Sequence, residues 1–284
     1  MSSVQGMLEI FDVQRSGVSS FVGDSDPGTR DVIDGSQLLA QAIVAAAKTW
    51  PDRSVRSAHA VFPRTAAAHV PITFDVTALH AGRTFVTADV RARQDDRICA
   101  VVTVLLDQPQ PDVVRRQSAP SRASSPEDAM PVTMPMDGRE LRLVDVSDPN
   151  DPDHVGPPVL DAWLRYDLIP DREELAKALL AHFTGHLSIS TSLRPHAGLG
   201  TAMSHLTIST AVMTIDITFH DPVQWDDWVL YEHESTAVGA GMSFVRGQIF
   251  TRTGALLASF NQQGMIRQFA AADPGATIAA SARL

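Results

Sequence analysis

One cysteine, two tyrosines and no basic cluster larger than a pair set the first limits on a chain of 284 residues. The lone thiol, Cys99, rules out an internal disulfide and a multi-cysteine zinc site. It lies in the apolar run ICAVVTVLL, which reads as a core position in a reducing compartment. Acidic side chains outnumber basic ones 33 to 23, giving a formal net charge of −10, and the longest basic run is Arg115-Arg116. A phosphate backbone needs clustered cations, so nucleic acid is excluded as an expected partner. No apolar stretch reaches the ~18 residues that cross a bilayer. The first residues, MSSVQGMLEIFDVQ, lack the basic-then-apolar order of a secretory leader. The expectation is a soluble, cytoplasmic protein with no membrane insertion.

What the chain does have is apolar material, 44% of its residues, and one pattern written twice. Between Gln108 and Asp137 proline, serine and charge accumulate with no period of two or 3.6, which reads as a linker or surface excursion over residues 109–137. It divides an N-terminal lobe (1–108) from a C-terminal lobe (138–284). A second turn-rich stretch, Ser147 to Pro158, reads as an exposed loop. In the first lobe, Gly35 to Lys48 (GSQLLAQAIVAAAK) is apolar on more than one face, as a helix buried on a sheet should be. Strand-like runs follow from Val55, His69, Arg83 and Arg97, and Ile72, Phe74 and Val76 alternate with polar neighbours. In the second lobe, Leu175, Ala178, Leu179, His182, Phe183, His186 and Leu187 recur at helical spacing after Pro170-Asp171. Strands are again expected to follow, from His205, Asp227, Met242 and Ala255. Shorter strand candidates precede each helix: LEIFDVQ and SSFVGD, then RELRLVDV and LDAWLRYD. Two copies of strand, central helix and antiparallel strands predict an α+β double hotdog, each sheet wrapped around its helix.

Specific strings add to the periodicity. Ala162 to His196, with its W-x-R lead-in and closing Arg-Pro-His, resembles the second-lobe helix region of the bacterial type II acyl-CoA thioesterases. Phe219 to Thr236, Phe244 to Arg267 and, in the first lobe, Gly35 to Ala42 are similar to further segments of that family. The resemblance implies hydrolysis of acyl-CoA to a free acid and CoA without metal or organic cofactor. It also implies self-association as a homodimer or higher homo-oligomer. In such enzymes a carboxylate, a hydroxyl and a glutamine of the C-terminal lobe hold and activate a water. A water must lose a proton as it attacks, and the developing oxyanion must meet donors.

Carried over by position, the glutamine is Gln262. The aspartate position reads Gly185, and the hydroxyl position reads Val212, with Thr210 and Thr214 two residues away on either side. On a regular strand both threonines share the face of Val212. His186, next to the vacated position, is a candidate base because imidazole titrates near neutrality. The plainer reading is that His182 and His186 are hydrogen-bonded core residues. Their i,i+4 spacing also suits a metal, but no third ligand is marked. A glycine inside a helix costs roughly 1 kcal/mol, so Gly185 predicts close approach by backbone or ligand. Gly35, Ser36 and Gln37 open the first-lobe helix with Asp34 placed to cap it, and their N–H groups are candidates for meeting a thioester or pantetheine. Arg64, Arg194 and Arg246 are candidates for CoA phosphates, against the ordinary reading of solvated arginines. Two rivals stand beside hydrolysis: a binding or regulatory protein silenced by loss of the aspartate, and an enoyl-CoA hydratase. No D-x-N-x-x-H string supports the second.

Overall fold

The computed structural model describes residues 3–25, 31–121, 124–134, 136–146, 148 and 150–269. The outermost residues of both expected lobes, positions 122, 123 and 135 of the excursion, and positions 147 and 149 of the second loop lie outside the described residues.

In chain order the elements are α1 (Val4–Phe11), β1 (Gln14–Arg15), β2 (Ser20–Gly23), β3 (Val32–Ile33), α2 (Gly35–Thr49), β4 (Ser54–Val61), β5 (Ala66–Ala67), β6 (Ile72–Ala81), β7 (Phe85–Gln94) and β8 (Arg97–Asp107). They continue with β9 (Met130–Pro131), β10 (Arg139–Leu143), β11 (Val159–Tyr166), α3 (Glu173–Phe183), α4 (Ser188–Leu193), β12 (Ile208–Phe219), β13 (Val229–Gly239), β14 (Met242–Thr251) and β15 (Leu256–Gln268). Apart from a small β3–β5 pair, the strands form one 13-stranded sheet in the order β1-β2-β6-β7-β8-β4-β12-β15-β14-β13-β11-β10-β9. The two halves repeat one topology. A strand (β2, then β11) leads into a helix (α2, then α3), and the next strand (β4, then β12) goes to the far edge. A three-strand meander then fills the gap. The two far-edge strands pair antiparallel, from Ser57 opposite Thr218 to Val61 opposite Thr214. The expected double hotdog is therefore present, its sheets fused through β4 and β12.

Inside the curved sheet α2 packs on β4, β6, β7 and β8 and, on its other side, on α3. This accounts for its alanines: Ser36 through Ala47 are all buried, and small side chains let a helix approach sheet and helix at once. Cys99 is buried, as its apolar run predicts.

Three local expectations are corrected. LEIFDVQ is mostly helix, not strand: Ser3 caps α1 by accepting the Gly6 N–H, and Val4, Met7, Leu8 and Phe11 bury one face. The second-lobe helix stops at Phe183; the N–H groups of Thr184, Gly185 and His186 bond three residues back, and Leu187 turns left-handed (φ 63°) before α4. The Pro/Ser-rich segment is also more than a tether. Ser121 bonds Glu232, Ser124 accepts from Trp163 Nε1, and Ala129 buries with Trp163, Trp228, Leu230, Phe250 and Leu256 in a second apolar cluster.

Lys177 joins the halves. Its buried ammonium donates to Ser54 Oγ (2.6 Å) and Val55 O (2.7 Å) of β4 and pairs with Glu173 (2.5 Å). Replacing Lys177 with alanine leaves the Val55 carbonyl and Ser54 hydroxyl without that donor, while Glu173 can turn to solvent. Urea unfolding is expected to show a loss of about 2 kcal/mol, with an unchanged m-value.

Candidate active site

The start of α2 and the turn after α3 meet at Ser36 and Gly185. A Cβ on Gly185 would lie 2.5 Å from both Cβ and Oγ of Ser36, so the two positions cannot both carry a full side chain. The approach expected at Gly185 is thus made by a side chain of the other lobe, and Gly185 sits in the turn after α3 rather than inside a helix.

Beside this contact opens a cavity of about 250 Å³. Its apolar wall comes from residues such as Val32, Ile33, Leu38, Phe62, Ile189, Val212 and Met213; Asp34, Arg64, Thr65, His205 and Thr210 are its polar groups, and Gly35 and Gly185 contribute backbone. Gln262, 1% exposed on β15, directs its amide Nε2 at Gly185 O (3.5 Å), a long contact that ties the glutamine to the same junction. The sequence-predicted residues Gly35, Gly185, Thr210 and Val212 therefore line one cavity, with Ser36 and Gln262 against Gly185.

Gln37 and Thr214 are not brought there. Gln37 is buried and spends its amide on Asp24 O and Gln41 Oε1. Thr214 is turned away by a bulge. Val212 stands opposite Gly264, but Thr214 stands opposite Gln263 and Ile215 opposite Gln262, so Met213 is an extra residue in β12. Directly opposed side chains share a face. Thr210, Val212 and Ile215 thus accompany Gln262 inward, and Thr214 lies on the other face, correcting the expectation that both threonines flank Val212 alike.

His186 stacks on Phe183 (5.1 Å, 6°) and meets His182 edge-on (5.0 Å). Its Nδ1 is buried with no hydrogen-bond partner among the described residues. Burial holds the imidazole below its usual range, Arg139 adds to that, and the charge of Asp34 opposes it. His182 is pushed much further down, by burial first and then by His186 and Arg139. Among the described residues, no group of three or more His, Cys, Asp or Glu is gathered as a metal site would need.

Asp34 corrects another expectation. It occupies the N-cap position of α2 with extended backbone, yet its side chain makes no cap bond. Of the three arginines, Arg64 lines the cavity, while Arg194 donates to Val159 O and Arg246 pairs with Glu234. A larger cleft of about 470 Å³ on the outer face holds Arg246, Glu234, Asp216 and Glu232, which are engaged with one another, with His59 or with Ser121, and it lies apart from the Gly185 junction.

A fused pair of helix-wrapped sheets, with a cavity where one helix starts against the end of the other, defines the double-hotdog class. Residues 25–106 match the family model of the acyl-CoA thioesterase N-terminal domain, and residues 111–266 match that of the C-terminal domain. The chain is 30% identical over 270 residues to acyl-CoA thioesterase 2 of Haemophilus influenzae, covering 87% of this chain and 92% of that one. Acyl-coenzyme A thioesterase 8 of Mus musculus is 25% identical over 265 residues, covering 82% and 79%. Among solved structures, a tesB protein of Mycobacterium avium superposes with a TM-score of 0.79 at 26% identity, covering 93% and 99%. An acyl-CoA thioesterase II of Mycobacterium marinum shares the fold with a TM-score of 0.77 at 24% identity, covering 92% and 98%. This chain belongs to the acyl-CoA thioesterase family.

The Ser36 contact has a consequence that does not depend on activity. Gly185→Ala is expected to destabilise the protein by about 1–3 kcal/mol through overpacking. Adding Ser36→Gly should recover most of that loss, and a double-mutant cycle on chemical denaturation checks the coupling.

Proposed function

We propose that the cavity beside Gly185 is where this thioesterase brings water to the thioester carbonyl, releasing a carboxylic acid and CoA. Hydrolysis of acyl-CoA itself follows from family membership; the residues that perform it are the present reading. What carries it is the convergence on Gly185: the Gln262 amide reaches its carbonyl, and the cavity it backs also takes in Thr210 and the start of α2.

In this reading the acyl chain lies along Phe62, Ile189 and Met213, and the carbonyl faces the first turn of α2. There the N–H groups of Gly35 and Ser36 precede the first intrahelical bonds, so they can face a developing oxyanion. His186, kept neutral near pH 7 by burial, takes a proton as water adds to the carbonyl carbon. The C–S bond then breaks and the proton passes to the departing CoA sulfur, leaving acid and thiol. Gln262 orients the water and carbonyl, and Thr210 contributes a hydroxyl. No metal or organic cofactor enters the scheme. Arg64, exposed at the cavity and free of ion pairs among the described residues, is placed for a CoA phosphate. A cytoplasmic setting and self-association accompany the reading; the buried thiol supports the first, and the absence of a membrane-length apolar helix among the described residues accords with it.

Thiol release from short, medium and long acyl-CoAs tests the site. Gln262→Ala is expected to lower turnover at least about tenfold, or ~1.4 kcal/mol of transition-state stabilisation. No turnover by the wild type with any chain length, together with measurable acyl-CoA binding, would replace this reading with that of a binding protein. Arg64→Ala should raise KM for acyl-CoA several-fold with kcat little changed, and leave hydrolysis of an acyl-N-acetylcysteamine thioester, which has no phosphate, unaltered.

A further inference from the structure

The cavity beside Gly185 is bounded by three places where the chain packs too closely to admit even one more carbon. Where α2 begins, the Phe62 ring covers Gly35, and an added Cβ would lie 3.0–3.1 Å from three ring atoms. At the turn after α3, a Cβ on Gly185 would meet Ser36 at 2.5 Å. Under α4, Gly264 stands opposite Val212, and a Cβ there would lie 2.8 Å from Ser243 Oγ and 3.5 Å from Ile189 Cγ1. A methylene needs as much room as a Cβ, so an acyl chain cannot continue past these points without displacing packed atoms. The lining also includes Asp34, Arg64, Thr65, His205 and Thr210, against which an alkyl tail gains little.

The volume then sets a length. An apolar cavity of about 150 Å³ takes up benzene, six carbons, or roughly 25 Å³ for each non-hydrogen atom. By that measure the 250 Å³ here hold about ten such atoms. The carbon, oxygen and sulfur of the thioester use three of them, which leaves about seven for the tail. We propose that the site takes acyl groups of about eight carbons or fewer, with Ile189 as the residue that ends the chain. The proposal rests on the reading of this cavity as the hydrolytic site and adds its substrate class.

Ile189 has this role because it is held in place. It is the α4 residue that lines the cavity, and α4 is seated on β13, β14 and β15. Ser192 Oγ of α4 and Ser235 Oγ of β13, both buried, share a hydrogen bond of 3.0 Å that fixes the helix to the sheet. With Gly264 and Ser243 directly beneath, Ile189 has no space to retreat into. A longer tail must either push α4 off the sheet or fold back into water, and in both cases the carbonyl is drawn away from the first turn of α2.

The test is kcat/KM for saturated acyl-CoAs from acetyl to palmitoyl, each below the concentration at which it forms micelles. The expected profile holds up to octanoyl and falls at least about tenfold by lauroyl. Ile189→Ala removes three carbons and should move that fall to longer chains by about two or three carbons; Ile189→Phe should move it to shorter ones. If Ile189→Ala does not fold, Ile189→Val, one carbon shorter, should give a smaller shift in the same direction. Palmitoyl-CoA turned over as well as octanoyl-CoA overturns the proposal, and so does a fall that no substitution at 189 moves. Gln262→Ala separates the two readings. Long chains accepted, with turnover still dependent on Gln262, leave the reaction in this cavity and remove the size limit alone; turnover indifferent to Gln262 removes the site and the limit together.

Discussion

The start of α2 and the turn after α3 meet at Ser36 and Gly185, where an added Cβ would lie 2.5 Å from the serine side chain. That contact decides much of what the cavity can contain. With serine on α2, the turn after α3 must carry glycine, and with glycine there no side chain from position 185 reaches the cavity. Volume in a packed interior is shared between neighbours, so a residue gained on one helix is a residue lost on the other. The polar groups around the junction arrive from other directions: Asp34 from the approach to α2, and Thr210 and Gln262 from the sheet.

The fusion of β4 to β12 is what makes such a shared site available. Phe62 follows β4 and donates its N–H to Met213 O, the bulged residue of β12, so the wall of the cavity is stitched from both halves at the seam. Lys177 anchors α3 to the start of β4. A lone first lobe would supply Asp34, Gly35 and Arg64 without Gln262 or His186; a lone second lobe would supply the reverse. The duplicated topology builds one asymmetric cavity out of two similar units, which leaves each unit free to diverge at its own end.

Much of this was legible in the sequence, and the parts that were not share a cause. Regular periodicity marks the buried helix from Gly35 and the meander strands, because a helix enclosed on several sides and a strand covered on one each leave a repeating apolar pattern. The break after Phe183 was hidden because His186 and Leu187 continue the helical spacing while the backbone tightens and then turns left-handed at Leu187, a residue that gives no turn signal. The bulge at Met213 was hidden for the same reason. Its flanking threonines look equivalent by spacing, and only the register against β15 separates them. α1 was missed although Ser3 before Val4 and the spacing of Val4, Met7, Leu8 and Phe11 were both available as signals. Asp34 was read as a cap because that is what an aspartate before a helix usually does; that it faces a cavity depends on Gly185 and Val212, far along the chain.

The electrostatics follow from the same geometry. His182 and His186 both lie against aromatic rings near Arg139, and an apolar, cationic setting disfavours an imidazolium in each. What distinguishes them is their neighbours: the charge of Asp34 and the backbone carbonyls of His182 and Phe183 act in favour of a protonated His186, whereas His182 packs on Phe11 of α1 and is pushed further from its usual range. A base that must be neutral before reaction and charged during it is better served by the first environment than the second.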